Sequence, residues 1–149
     1  MTACLIIYAS MTGNTEELAT LIGEGIESAG GDVTMVDILD ANASDLLGYE
    51  GVLLGAYTWG DGELPDEFLD FYLEMDELQL NGIRAAAFGS CDSSYEYVGR
   101  AVDILAEKLS EAGAEIILPG LKIEHVPTLQ ERQQCIEFGQ TFVAKMNGN

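Results

Sequence analysis

Residues able to do chemistry gather in three short stretches of the 149-residue chain: Ser10-Met11-Thr12-Gly13-Asn14-Thr15, Thr58-Trp59-Gly60-Asp61, and Ser90-Cys91-Asp92-Ser93-Ser94-Tyr95-Glu96-Tyr97. In the first, the apolar run Ala3 to Tyr8 breaks into hydroxyls, a glycine and an asparagine, and a helical pattern begins at Glu16. A loop so placed collects the unpaired N–H groups of a helix start, adds hydroxyl donors, and lets the backbone approach an anion at its glycine. Those are the features of a phosphate cradle. The same residues equally suit an ordinary helix N-cap, with Ser10, Thr12 or Asn14 capping and nothing bound. The stretch holds no lysine and no GxGxxG spacing, which excludes the loops of nucleotide hydrolases and dinucleotide folds.

The other two stretches add aromatic surface. Trp59 lies between Thr58 and Gly60-Asp61-Gly62, a turn rather than a core setting, and with Tyr95 it could sandwich a flat ring. Tyr97 reads more readily as a packing residue. Groups for acid, base or nucleophilic work are scarce: the lone His125 has no partner at a motif spacing and reads as a surface or turn histidine. The acids from Asp61 to Glu77 spread over a solvated helical face and follow no EF-hand pattern, so no dedicated metal site is expected. Cys4, Cys91 and Cys135 are odd in number and far apart, which points to free thiols in a reducing compartment.

The elements that must position these stretches alternate. Apolar strands are expected at 3–8, 33–38, 51–57 and 83–89, with a fifth at 114–118 and 121–123 interrupted by Pro119-Gly120. Helices are expected at 14–29, after Pro65, at 98–112 and at 128–146, with a helical turn near 44–47. Strands alternating with helices imply a doubly wound α/β domain with a parallel sheet, occupying 1–149 as one domain. Ligands of such sheets bind beyond the carboxyl ends of the strands, where loops 10–15, 58–64 and 90–97 would meet.

Net charge is −20, and its distribution is uneven: residues 1–83 hold 17 acids and no base, against 9 acids and 6 bases in the remainder. Nucleic acid and anionic membrane are therefore excluded as partners, whereas basic protein surfaces are favoured. Any anion in the first loop must be held by neutral dipoles and the helix N-terminus. No apolar stretch approaches the roughly eighteen residues that span a bilayer, and a cytoplasmic protein is expected.

The three stretches, in this order on these strands, closely resemble the short-chain flavodoxins, and the resemblance covers essentially the whole chain. It implies a five-stranded sheet of order 2-1-3-4-5 and a low-potential one-electron carrier, not an enzyme, with non-covalent FMN cycling between semiquinone and hydroquinone. It further implies that Ser10, Thr12, Asn14 and Thr15, with the N–H groups of Met11 and Gly13, hold the phosphate, assisted by Thr58. Trp59 and Tyr95 would cover the ring faces, with Tyr97 nearby. Ser90, Cys91 and Asp92 would meet the pyrimidine edge, and the Gly60 carbonyl, beside Asp61, would turn toward the flavin N5. The expected partners are basic surfaces of reductases and ferredoxin-dependent enzymes, met by a monomer. Two departures stand out: Met11 replaces a hydroxyl that many relatives carry, and Asp61-Gly62-Glu63-Leu64-Pro65 is compact. The alternative within this fold is an FMN-dependent quinone or nicotinamide reductase. A phosphate-accepting receiver domain is set aside because Ser10, Met11 and Tyr57 stand where its acids would be.

Overall fold

A computed structural model describes residues 2–59, 62–92 and 99–148. Its elements are β1 (Ala3–Ala9), α1 (Asn14–Ser28), β2 (Asp32–Asp37), β3 (Gly51–Ala56), α2 (Asp66–Glu74), β4 (Arg84–Cys91), α3 (Arg100–Glu111), β5 (Glu115–Ile116), β6 (Leu121–Glu124) and α4 (Leu129–Met146). Short 3-10 turns at Ile38–Asp40, Ala43–Gly48 and Met75–Glu77 complete the connections. The strands run parallel in the order β2-β1-β3-β4-β5. This is the expected doubly wound sheet.

The unbroken apolar runs of β1 and β3 follow from burial on both faces. Leu5, Ile7 and Ala9 of β1 pack with Val52, Leu54 and Ala87 against Phe68 and Phe71 of α2 and Val102, Leu105 and Leu109 of α3. Cys4, Ile6 and Tyr8 point the other way, with Leu53, Ala86 and Phe88, onto Leu18, Ile22 and Ile26 of α1 and Phe142 and Val143 of α4. Each such fully buried aliphatic side chain stabilises the fold by about 1.5–3 kcal/mol. On the second face, α1 and α4 approach backbone to backbone. A Cβ at Gly25 would lie 1.9 Å from the Ile136 carbonyl oxygen, and one at Gly139 would lie 2.1 Å from that of Ile22. A capping box opens α4: the Thr128 hydroxyl accepts from the Glu131 N–H at 3.1 Å, and the Glu131 carboxylate accepts from the Thr128 N–H at 3.0 Å.

Several boundaries differ from the sequence expectation, each for a tertiary or capping reason. β2 ends at Asp37 because the Asp37 carboxylate accepts from the Leu39 N–H at 2.9 Å and starts a 3-10 turn that takes Ile38 out of the strand. The interrupted fifth strand is two strands, both parallel to β4: β5 pairs with Arg84 and Ala85, and β6 pairs with Phe88 to Cys91. That second pairing extends β4 past Gly89, so Ser90 and Cys91 are strand residues rather than the start of a loop. α3 is described from Arg100, and the expected start at Val98 lies outside the described residues.

Candidate functional site

The carboxyl ends of β1, β3 and β4 converge, as the sheet topology requires. After Ala9 the chain leaves β1 into the loop that starts α1, with Gly13 at φ +91°, a left-handed conformation that favours glycine. The Ser10 hydroxyl oxygen accepts from the N–H groups of Gly13 at 3.1 Å and Glu16 at 3.2 Å. The N-cap residue is Gly13, which has no side-chain cap, so none of Ser10, Thr12 and Asn14 is the N-cap. Ser10 satisfies the Glu16 N–H from the loop before it, and its hydroxyl proton stays available to donate to an anion. The N–H groups of Asn14 and Thr15, the first two of α1, have no carbonyl one turn back within the helix to donate to. Thr15 is buried and its hydroxyl lies 2.7 Å from that of Ser90, also buried, which ties the loop to the end of β4.

After β3, Tyr57 donates its phenol proton to Glu67 of α2 at 3.1 Å. Burial, followed by the Glu67 hydrogen bond and charge, pushes the Tyr57 phenol up to about 12, so it stays neutral at ordinary pH. Its ring meets that of Trp59 edge-on, with centroids 6.4 Å apart and planes at 80°. Trp59 keeps 47% of its surface exposed, while its backbone is locked: its N–H donates to the Glu63 carbonyl at 2.8 Å, and its carbonyl accepts from the Glu63 N–H at 2.8 Å. Tyr57 thus serves as a prop that sets the indole at the edge of the site. The Thr58 hydroxyl oxygen accepts from the Ala101 N–H at 3.1 Å, which joins this loop to the start of α3.

The space between these loops is a cleft of about 500 Å³ lined by Ser10, Met11, Thr12, Asn14, Thr15, Tyr57, Thr58, Trp59, Ser90, Cys91, Asp92 and His125. Its size falls in the range of small-molecule sites. The structure therefore brings together Ser10, Met11, Thr12, Asn14, Thr15, Thr58, Trp59, Ser90, Cys91 and Asp92, all predicted site residues. Gly13 shapes the loop without lining the cleft. Gly60, Asp61, Tyr95 and Tyr97 lie outside the described residues.

Sequence reasoning missed two members of the lining. Tyr57 stands one residue before a predicted stretch, at the end of a strand that reads as core. His125 follows β6, whose carboxyl end reaches the same edge of the sheet, so applying the carboxyl-end rule to the fifth strand as well would have found it. Its imidazole Nε2 lies 3.6 Å from the Asp92 carboxylate. The neighbouring Cys91 thiol is pushed up by burial first and by the Glu124 charge second, with Lys122 opposing, which holds it in its unreactive protonated form. Among the described residues no group of three or more His, Cys, Asp or Glu is placed to hold a metal ion.

Comparison with known proteins agrees with this geometry. Residues 6–139 match the family model described as Flavodoxin. The chain is 43% identical over 146 residues to a protein of Bacillus subtilis named probable flavodoxin 2, covering 97% of each chain. It is 38% identical over 149 residues to a flavodoxin of Maridesulfovibrio salexigens, covering 98% of this chain and 100% of the other. The crystal structure of oxidised flavodoxin 1 from Bacillus cereus superposes with a TM-score of 0.93 at 50% identity, covering 96% of this chain and 98% of that one. The chain belongs to the short-chain flavodoxins, a family of electron-transfer flavoproteins.

Proposed function

We propose that the protein is a low-potential one-electron carrier that holds FMN without a covalent bond in the cleft at the carboxyl edge of its sheet. The observation that carries this reading is the division of the cleft lining. Hydroxyls, an amide and a helix N-terminus line it from the loop after β1, an indole propped by Tyr57 lines it from the loop after β3, and the described lining has no activated nucleophile. Such a lining fits a flat ring with an anionic tail.

In this reading Ser10, Thr12, Asn14 and Thr15 hold the phosphate through neutral donors and the α1 dipole, with Thr58 adding a hydroxyl. Trp59 covers one ring face, Tyr95 the other, and Asp92 meets the pyrimidine edge. When bound, FMN supplies one-electron chemistry between its singly and doubly reduced forms. The protein sets the potential by excluding water with Trp59 and by its acidic surroundings, Asp92 in the lining and exposed Glu63 and Asp66 beyond Trp59. A carboxylate about 10 Å from a negative charge in a water-like medium contributes roughly 0.4 kcal/mol of repulsion, so several together lower a one-electron potential by tens of millivolts.

Partners in this reading are redox proteins with basic surfaces. α2 carries Asp66, Glu67, Asp70 and Glu74 and no base, so association is steered electrostatically and slows as salt rises. The chain works as one monomeric domain in the cytoplasm, where Cys4, Cys91 and Cys135 stay reduced. The test is direct. Purified protein is expected to be yellow, to release FMN rather than riboflavin on denaturation, and to leave nicotinamides unoxidised when alone. Colourless protein that takes up no added FMN overturns the reading, and steady nicotinamide oxidation replaces it with a reductase.

A further inference from the structure

His125 occupies an unusual place. It is the one histidine of the sequence. Its φ of +52° makes it the single non-glycine with a left-handed backbone among the described residues, a conformation that costs most side chains energy. The backbone is held there by a hydrogen bond from the His125 N–H to the Cys91 carbonyl at 3.1 Å, which carries the β4–β6 ladder one residue past its end. The result is an imidazole on the cleft wall, 62% exposed at its side chain and 3.6 Å from Asp92.

Within the described lining, His125 is the only side chain that can become a cation. The Cys91 thiol and the Tyr57 phenol of the lining are both pushed up and stay neutral between pH 5 and 8. The charges felt by the neighbouring Cys91 are Asp92 just after β4, Lys122 and Glu124 on β6, and Glu131 in the first turn of α4. Lys122 is itself paired with Asp103 of α3 at 3.0 Å. Gain or loss of one proton on this imidazole therefore changes the charge of the wall by one, and histidine is the side chain suited to such a change in the physiological range.

We propose that His125 is the proton-responsive group of the cleft, which takes up a proton from solvent as negative charge accumulates in the site and thereby couples the potential of the bound cofactor to pH. The inference rests on the proposed function, since it concerns the charge that full reduction leaves on FMN. The physical basis is linkage. If a proton on His125 favours electron uptake, electron uptake favours that proton by the same free energy. The sign follows: lower pH gives more imidazolium on the cleft wall, and the potential of the more reduced couple becomes less negative.

The test uses FMN-loaded protein, with the sole histidine as its own probe. The imidazole C–H resonance is titrated by NMR between pH 5 and 8 in the oxidised protein and in protein fully reduced with dithionite. The titration midpoint is expected to rise on reduction by about half a pH unit, the order of shift that one added negative charge in the same partly solvated cleft produces. His125→Asn keeps a residue type that tolerates the left-handed backbone. This variant is expected to lose the part of the pH dependence of the lower potential that falls in the imidazole range. The same midpoint in both redox states, or the same pH dependence in His125→Asn as in the parent protein, overturns the inference and leaves the FMN carrier reading standing. Failure to bind FMN at all overturns both.

Discussion

The sharpest expectation for the cleft concerns Ser10→Ala. The Ser10 oxygen accepts two backbone N–H groups, those of Gly13 and Glu16, and its proton is the donor that remains for a phosphate oxygen. Removing the hydroxyl has two separable effects. A hydrogen bond to a charged group contributes about 1.5–3 kcal/mol, which corresponds to roughly ten- to a hundredfold in affinity for FMN. The loosened loop affects any ligand of the cleft, at about threefold or less, because water can replace the carbon-bound hydroxyl at the half-exposed Gly13 and exposed Glu16. Riboflavin, which has the ring and no phosphate, isolates the second effect. Apoprotein titrated with each ligand by quenching of flavin fluorescence should therefore show a large rise in Kd for FMN and a small one for riboflavin. Equal weakening of both would refute the placement of the phosphate against this loop. It would leave Ser10 as a brace of the loop and the first turn of α1 and nothing more.

Two further expectations concern the scaffold. Gly139→Ala adds a Cβ 2.1 Å from the Ile22 carbonyl oxygen and forces α1 and α4 apart, whereas Gly48→Ala meets nothing within 4 Å. After the gain of about 1 kcal/mol in helix propensity, the first should destabilise by roughly 1–3 kcal/mol and lower the Tm by several degrees, and the second should be near neutral. Parallel urea and thermal unfolding of both variants provides the check, and an unchanged Gly139→Ala would contradict the close helix contact. At alkaline pH the fold should weaken. Burial first, then the hydrogen bond to Glu16, pushes the Tyr8 phenol from 10.0 up to about 12, so between those values the unfolded chain loses protons that the folded one keeps. Lys108 acts in the same direction. Its hydrogen bond to Asp76 raises it above 10.5, so its contribution is complete below that value and is lost as pH rises through the folded one. The urea midpoint is expected to fall from about pH 10 upward, and Tyr8→Phe should flatten that fall.

Legibility in the sequence tracks how local each feature is. The strand, loop and helix from Ala3 to Ser28 can be read directly, because an apolar run, a glycine and a hydroxyl-rich start carry their meaning within a few residues of one another. The break of the fifth strand was legible at Pro119-Gly120 for the same reason. Ser90 was misread as loop because nothing near it in the chain shows that β6 pairs alongside. His125 was read as a bland turn residue because its neighbours Glu124 and Val126 carry no sign of Cys91 and Asp92, more than thirty positions earlier.

By itself, then, the sequence determined the alternation of strands and helices, the two-faced burial of the central strands, and the three polar stretches at strand ends. Each depends on contiguous pattern and turn chemistry. The tertiary structure decided which groups face one another across long separations. The Thr15–Ser90 contact, the backbone approach of Gly25 and Gly139, and the seating of His125 beside Asp92 all depend on strand register and helix docking. Register is a property of paired strands, set by packing between segments distant in the chain, and no single segment carries it alone.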